Sequence, residues 1–279
     1  MKDAKIMPKG ILNPTSAQRN FTLVRHPPQP DLAYFVEQYW IVRWTLNEPF
    51  ISHTLAYPSV HISIEPDVAR VVGIVTGRFT VRLEREGRVF GIKFRPGAFY
   101  PFVCNPIAEL TDQSRSLTAI FGDVGQAYER DIRATQEDAQ CIAIAGEFLR
   151  ACQPDPDPVI TPINEVIEQI IADPTIHKVD DLVAKTYFSK RTLQRLFHQY
   201  VGVSPKWVIN RFRLHEAADR VATGQNIDWA KLAVDLGYYD QAHFIKDFKA
   251  IVGCTPLEYA RSVSATPGQR GSGDGVAPA

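Results

Sequence analysis

An internal repeat limits what this chain can fold into more than any other feature. Ser189, Leu193, Phe197, Val201, Gly202 and Pro205 return 51 positions later as Asp240, Phe244, Phe248, Val252, Gly253 and Pro256. Each copy predicts a first helix, a tight turn and a second helix. Ser189 and Asp240 suit helix starts, because their side-chain oxygens accept from the free amides of the first turn. Gly202 and Gly253 suit the left-handed residue that ends a helix, and the proline that follows prevents its continuation. First helices are expected over residues 179–185 and 229–236. Residues 159–261 are thus expected to form an all-α unit with two helix-turn-helix motifs.

In the second helix of copy one, Leu193, Leu196, Phe197 and Tyr200 fall at i, i+3, i+4 and i+7, a single buried stripe. The opposite face presents Lys190, Arg191, Gln194, Arg195 and His198, with no acid among them. Arginine and glutamine are the side chains that fork onto guanine and adenine edges. In copy two the face is Gln241, Ala242, Ile245, Lys246 and Lys249, with Asp247 beside it. It is less basic and partly apolar, which suits phosphate contacts, thymine-methyl packing and a weaker grip. One basic helix face is ordinarily just solvated. Two capped helices with matching outward positions favour double-stranded DNA as the partner. Between the copies, residues 206–222 make a 17-residue connector, about 25 Å long as a helix. Trp207, Leu214, Ala217, Ala218 and Val221 lie on or near one face of it. It can therefore pack against both motifs and hold two recognition helices near one DNA turn, ~34 Å, apart.

The whole chain has 279 residues, which at about 150 per domain suggests two domains. Lys and Arg total 31 and Asp and Glu 31, so bulk charge is silent on nucleic acid and local placement carries the inference. Hydrophobic residues make up 45% and charged residues 22%, which excludes a disordered chain. No apolar run nears the ~20 residues of a membrane helix, and none follows Met1-Lys2-Asp3-Ala4-Lys5. Neither a membrane span nor a secretory signal is expected, and the expected location is cytoplasmic. Cys104, Cys141, Cys152 and Cys254 are scattered, which argues against a disulfide framework or a zinc site.

Residues 20–100 alternate as strands do. Val60, Ile62 and Ile64 interleave with His61, Ser63 and Glu65, and Phe79, Val81 and Leu83 with Thr80, Arg82 and Glu84. Residues 71–75 and 89–94 are further candidates, and short strands so spaced predict a small sandwich or barrel. Leu32, Phe35, Val36, Tyr39 and Trp40 recur at helical spacing and predict one covering helix. From Asn105 to Cys152 the pattern turns helical, ending in a stretch of good helix formers over 139–151. Pro154, Pro156 and Pro158 cannot lie inside a helix and favour extended backbone, which places a linker at residues 153–158. The expected class is therefore α+β: a β-rich domain with a helical end over 1–152, the linker, the helical unit over 159–261, and a disordered Ser-, Gly- and Pro-rich tail over 262–279.

Several strings run in the order of a known family: Ser189-Lys190-Arg191-Thr192-Leu193-Gln194-Arg195-Leu196-Phe197, Gly202-Val203-Ser204-Pro205, Leu236-Gly237-Tyr238, Phe244-Ile245-Lys246-Asp247-Phe248-Lys249 and Gly253-Cys254-Thr255-Pro256-Leu257-Glu258-Tyr259. Residues 160–261 thereby resemble the DNA-binding domain of AraC/XylS-type transcription regulators. The resemblance implies a bacterial activator or repressor that binds DNA through both motifs. It places Arg191, Gln194, Arg195, Gln241, Ala242 and Lys246 against bases or backbone. It also implies a homodimer and, for an activator, RNA polymerase as a protein partner. Ile245 departs from the family, which more often has a small polar residue there, and Arg220 takes a usually apolar place in the connector. Residues 28–40 and Gly91-Ile92-Lys93-Phe94-Arg95-Pro96-Gly97 are similar to a small cupin-like domain of some of these regulators, which implies a module for sensing a small-molecule effector or for dimerisation. The expected DNA-binding set is Lys190, Arg191, Gln194, Arg195, His198, Gln241, Ala242, Lys246 and Lys249. Arg191, Gln194 and Arg195 are expected to read bases, and Lys190, Lys246 and Lys249 to anchor phosphates.

A cupin metal site needs clustered ligands, and His53 and His61 with Glu65 nearby read better as ordinary strand residues. Trp40, Trp44, Tyr57, Phe94, Phe99 and Tyr100 can line an apolar effector pocket with Arg95 as its polar anchor, against the plainer reading that they are core. No nucleophile–base pair, phosphate-binding glycine loop or G-x-S-x-G occurs, so no catalytic residue, cofactor or metal is expected. Two rival readings stand behind the regulator. One is a metal-dependent cupin enzyme with an accessory helix-turn-helix part, the other a regulator acting through protein contacts alone.

Overall fold

The computed structural model describes residues 10–222 and 227–264, without the side chains of residues 14, 15 and 264. A short helix, α1 (Pro14–Asn20), leads into the strands β1 (Thr22–His26), β2 (Val36–Thr45), β3 (Phe50–Leu55), β4 (His61–Ile64), β5 (Ala69–Val72), β6 (Arg78–Leu83), β7 (Glu86–Phe94) and β8 (Ser114–Ser116). Six of these form one antiparallel sheet in the order β1-β2-β7-β4-β5-β8, and β3 and β6 pair as a separate two-stranded ribbon. The expected alternation appears in β4, where Ile62 and Ile64 are buried on one face while His61 and Ser63 point to the other.

The covering helix expected over Leu32 to Trp40 is instead a turn followed by strand β2. Leu32 and Phe35 are buried in the turn, whose amides bond back to Gln29 and Leu32 carbonyls. The pairing of β2 with β7 shifts between Val36 and Gln38, so an irregularity puts Val36 and Tyr39 on the same face three residues apart. That irregularity mimics a helical period, while the run of β-branched and aromatic residues that follows favours extended backbone. The helical stretch expected from Asn105 likewise opens with a 3-10 turn at Ile107–Leu110 and then strand β8.

One face of the sheet, with Tyr39, Ile41, Ile62, Val71, Phe90 and Ile92, is almost fully buried. It is covered by helices that follow α2 (Tyr100–Val103), namely α3 (Leu117–Ala134) and α4 (Asp138–Ala151), which contribute Leu117, Ile132, Cys141 and Leu149 to the same core. Tyr128 and Phe148 stack between them with ring centroids 4.1 Å apart.

Past residues 153–158 come α5 (Ile160–Ala172), α6 (Val179–Val183), α7 (Lys190–Leu196), a π-helical turn (Phe197–Val201), α8 (Pro205–Ala222), α9 (Trp229–Asp235), α10 (Gln241–Val252) and α11 (Pro256–Ser264). The apolar core continues from the sheet into this half through Ile160, Ile163, Ile167, Leu193, Phe197 and Ile209. A second core gathers Leu214, Ala217, Leu232, Phe244 and Phe248, together with Leu12 and Leu55 from the amino-terminal half. Of the tail expected over 262–279, residues 262–264 complete α11 and residues 265–279 lie outside the described residues. Among the described residues no helix is long and apolar enough to cross a membrane.

Candidate nucleic-acid interface

Both repeat copies fold as helix, turn and capped helix. Ser189 Oγ accepts from the amide of Thr192 at 3.1 Å, and Asp240 Oδ1 from that of His243 at 2.8 Å. Gly202 and Gly253 end the two second helices at φ 88° and 91°, left-handed values that glycine adopts without strain. In α7 and the turn after it, Leu193, Leu196, Phe197 and Tyr200 are buried as one stripe. Lys190, Arg191, Gln194, Arg195 and His198 are exposed on the other side. Lys190 Nζ reaches Asp180 Oδ1 of α6 at 3.0 Å. Arg191, Gln194, Arg195 and His198 make no side-chain hydrogen bond or ion pair among the described residues, so their donors face solvent uncommitted.

On α10, Gln241, Ala242, Lys246 and Lys249 are exposed, while Phe244, Phe248 and Val252 are buried. Ile245 is half-buried against the second core, which accounts for an apolar residue on this face. Arg220 pairs with Glu216 at 2.5 Å and with Asp235 of α9 at 3.5 Å, so its polar place on the connector serves contact between helices. The connector α8 is buried nearly all round, and three polar side chains that sequence reading missed are enclosed on it. Arg211 donates to the carbonyl of Gly77 at 3.2 Å and lies over the Trp207 ring, and Arg213 donates to those of Ile170 and Asp173. His215 packs its ring against Tyr57 with centroids 4.6 Å apart. Polar residues at alternate positions of a helix cannot all face solvent, which is the sequence signal that this helix is sandwiched.

A cavity of about 810 Å³ lies between the sheet's second face and the β3–β6 ribbon, and α5 and α8 close one end. Its floor holds Trp40 and Trp44, laid over glycines: a Cβ on Gly91 would lie 2.1 Å from the Trp40 ring and one on Gly87 2.2 Å from Trp44. The helical end is polar. Lys93 Nζ binds Glu37 Oε1 at 2.7 Å and lies 4.5 Å from the centre of the Tyr57 ring. Burial pushes the Tyr57 hydroxyl up to about 12 and holds Arg25 below its ordinary value. Burial also pushes His61 and His215 down to about 3, so both rings are neutral near pH 7. Trp40 Nε1, Ser59 Oγ and His215 Nε2 line this cavity, buried and without a hydrogen-bond partner among the described residues.

Of the expected pocket residues, Trp40, Trp44, Tyr57 and Arg95 line the cavity. Phe94 and Phe99 do not, because they lie in the core, and Tyr100 packs on Tyr200 of the first motif. The charged pair and His215 were not legible in advance, since strand pairing and the connector bring them together. His53 stands on the ribbon beside Thr80, and Glu65 is taken up by Arg70 and Ser63. Among the described residues no three His, Cys, Asp or Glu side chains converge as metal ligands.

Two capped helix-turn-helix motifs joined by one buried helix define a DNA-binding class of domain. Residues 182–262 match a family described as a helix-turn-helix domain, and residues 24–116 match a domain of unknown function (DUF6597). The carboxy-terminal part of the chain is thus similar to the AraC-type helix-turn-helix domains. A protein of Haemophilus influenzae described as an uncharacterized HTH-type transcriptional regulator is 33% identical over 86 residues, 31% of this chain and 28% of that protein. The HTH-type transcriptional activator AarP of Providencia stuartii is 33% identical over 84 residues, 30% of this chain and 62% of AarP. The chain thus spans less than two thirds of the length of these relatives. Among solved structures, ToxT from Vibrio cholerae matches 88% of this chain and 100% of its own at 14% identity, with a TM-score of 0.40.

Proposed function

We propose that the protein is a sequence-specific DNA-binding transcription regulator of the bacterial cytoplasm whose DNA affinity answers to a small molecule held in the cavity. The observation that carries the reading is the pair of repeat-related capped helices with exposed outer faces. On α7 that face holds no acid and leaves two arginines and a glutamine without partners. Arg191, Gln194 and Arg195 read base edges, and Lys190, Lys246 and Lys249 anchor phosphates, with His198, Gln241 and Ala242 completing the contact surface. RNA polymerase and a second copy of the chain are the protein partners the family resemblance implies.

The cavity supports the effector part. Its volume falls in the range of small-molecule sites, its walls are mostly apolar and aromatic, and a few buried polar groups converge at one end. An amphipathic molecule fits that gradient. The arrangement is one of binding.

The test is selection of duplexes from a random pool by the full chain, followed by fluorescence anisotropy on the enriched sequence. A specific Kd of about 10⁻⁸–10⁻¹¹ M that weakens steeply with salt is expected. Absence of enrichment would end the DNA-binding reading. Native mass spectrometry of the freshly purified protein identifies any bound small molecule, and a molecule whose removal leaves DNA affinity unchanged would refute the effector role.

A further inference from the structure

The β-rich half grips both recognition helices at the same repeated place. In the first motif, the carbonyl of Gly202 accepts from Thr111 Oγ1 at 2.7 Å, and a Cβ on this glycine would lie 2.9 Å from Ile107. At the repeat-equivalent end of α10, Arg78 Nη1 donates to the carbonyl of Val252 at 2.7 Å. Its guanidinium sits so close to Gly253 that a Cβ there would come within 2.1 Å. The last carbonyls of a helix lack intrahelical donors and carry the negative end of its dipole, so a cation donating there is well placed.

The two grips hang from different strands that meet at one turn, where Asp112, next to Thr111, accepts from the amide of Thr76, two residues before Arg78, at 2.8 Å. Thr111 leads into β8, the edge strand of the six-stranded sheet, and the amide of its neighbour Asp112 bonds to Ile74 at 2.8 Å. Arg78 begins β6, on the ribbon that shares no ladder with that sheet. The alternate residues Phe79, Val81 and Leu83 of β6 wall the cavity. At the same end of the ribbon Leu55 is buried in the second core. Arg211 ties the turn before β6 to α8, so this end of the ribbon is bonded to the helical half at several points.

We propose that the ribbon sets the position of the second recognition helix relative to the first, and that an occupant of the cavity acts on DNA affinity by moving the ribbon. The proposal rests on the reading of the chain as an effector-controlled DNA-binding regulator and gives that control a route. A body wedged between sheet and ribbon presses on Phe79 and Val81, next to Arg78 and its hold on α10, whereas Thr111, which holds Gly202, lies outside the cavity lining. Helices that read successive major-groove segments must match the ~34 Å repeat of the duplex. A shift of a few ångströms therefore changes which half-site spacing fits.

The experiment compares full-length wild type with Arg78→Ala, Arg78→Lys and Val81→Trp, the last placing an indole in the cavity in place of a ligand. Val81→Phe serves if the larger ring unfolds the sheet, which loss of protection in β2 and β7 would reveal. By hydrogen–deuterium exchange, Arg78→Ala is expected to speed exchange in the last turn of α10 about tenfold and leave α7 unchanged, with Arg78→Lys restoring protection. Val81→Trp is expected to speed α10 but not α7. On selected duplexes with zero to three base pairs inserted between half-sites, wild type should prefer one spacing, Val81→Trp another, and Arg78→Ala none. Unchanged protection of α10 in Arg78→Ala overturns the hold. Exchange in Val81→Trp matching wild type, or an unshifted spacing preference, overturns the coupling to the cavity. If wild type selects no duplex, the DNA-binding reading fails, and the exchange results still decide whether ribbon and α10 are coupled.

Discussion

His215 gives the protein an acid-sensitive point where its two halves meet, and the size of the effect follows from the structure. The side chain lies on α8, 7% exposed, with its ring against Tyr57 and Phe212. Burial is the main reason its pKa falls from 6.5 to about 3, and the positive charge of Arg211 adds to it. In the unfolded chain the ring takes up its proton near pH 6.5, whereas the folded protein holds it neutral down to about 3. Stability from this group is therefore full above pH 6.5 and is lost as pH falls toward 3. At pH 5 the unfolded state is favoured by about 1.5 log units through this site, or about 2 kcal/mol at 1.36 kcal/mol per unit. His215→Phe keeps a ring against Tyr57 and removes the titration. Urea unfolding followed by tryptophan fluorescence and circular dichroism at pH 8 and pH 5 measures the difference. The wild type is expected to lose about 2 kcal/mol more than the variant between the two pH values. Equal losses would show that His215 is not held neutral by burial, and the reasoning would fall with it.

Arg195→Ala removes an uncommitted guanidinium from the α7 face and is expected to weaken cognate DNA binding by about 1–3 kcal/mol, roughly 5- to 150-fold in titration. An unchanged Kd would take Arg195 out of the readout. Lys249→Ala is expected to weaken all duplex sequences alike and flatten the slope of log K against log salt by about one unit. A loss confined to one base position would contradict its phosphate role. Gly91→Ala drives a Cβ into the Trp40 ring. It should cost about 1–3 kcal/mol of stability and alter tryptophan fluorescence, whereas Gly77→Ala, with nothing within 4 Å, should do neither. Equal behaviour of the two glycine variants would refute the packing of Trp40 on the strand.

The repeat, its caps and its outward faces were legible because they are local. A cap is a hydrogen bond that the amide of residue i+3 donates to the side chain of residue i, as Thr192 does to Ser189, and a buried stripe repeats every three or four positions, so both leave their period in the chain. Residues 32–40 carry a misleading period, because an irregular strand pairing imitates helical spacing there; only the partner strand β7 fixes which period holds. The cavity was half visible: Trp40 and Trp44 announced themselves as aromatics, but nothing local separates them from Phe94 and Phe99 of the core.

The two capped helix-turn-helix motifs and the side chains they turn outward are thus written locally in the chain. Their information lies within a few residues. Which face of the sheet became core and which became cavity was decided by tertiary structure, as were the pairing of Lys93 with Glu37 across 56 residues and the reach of Arg78 to Val252 across 174. These contacts depend on strand register and on the packing of α8 between the halves. No short stretch of chain encodes either, because their free energy appears only when distant segments meet.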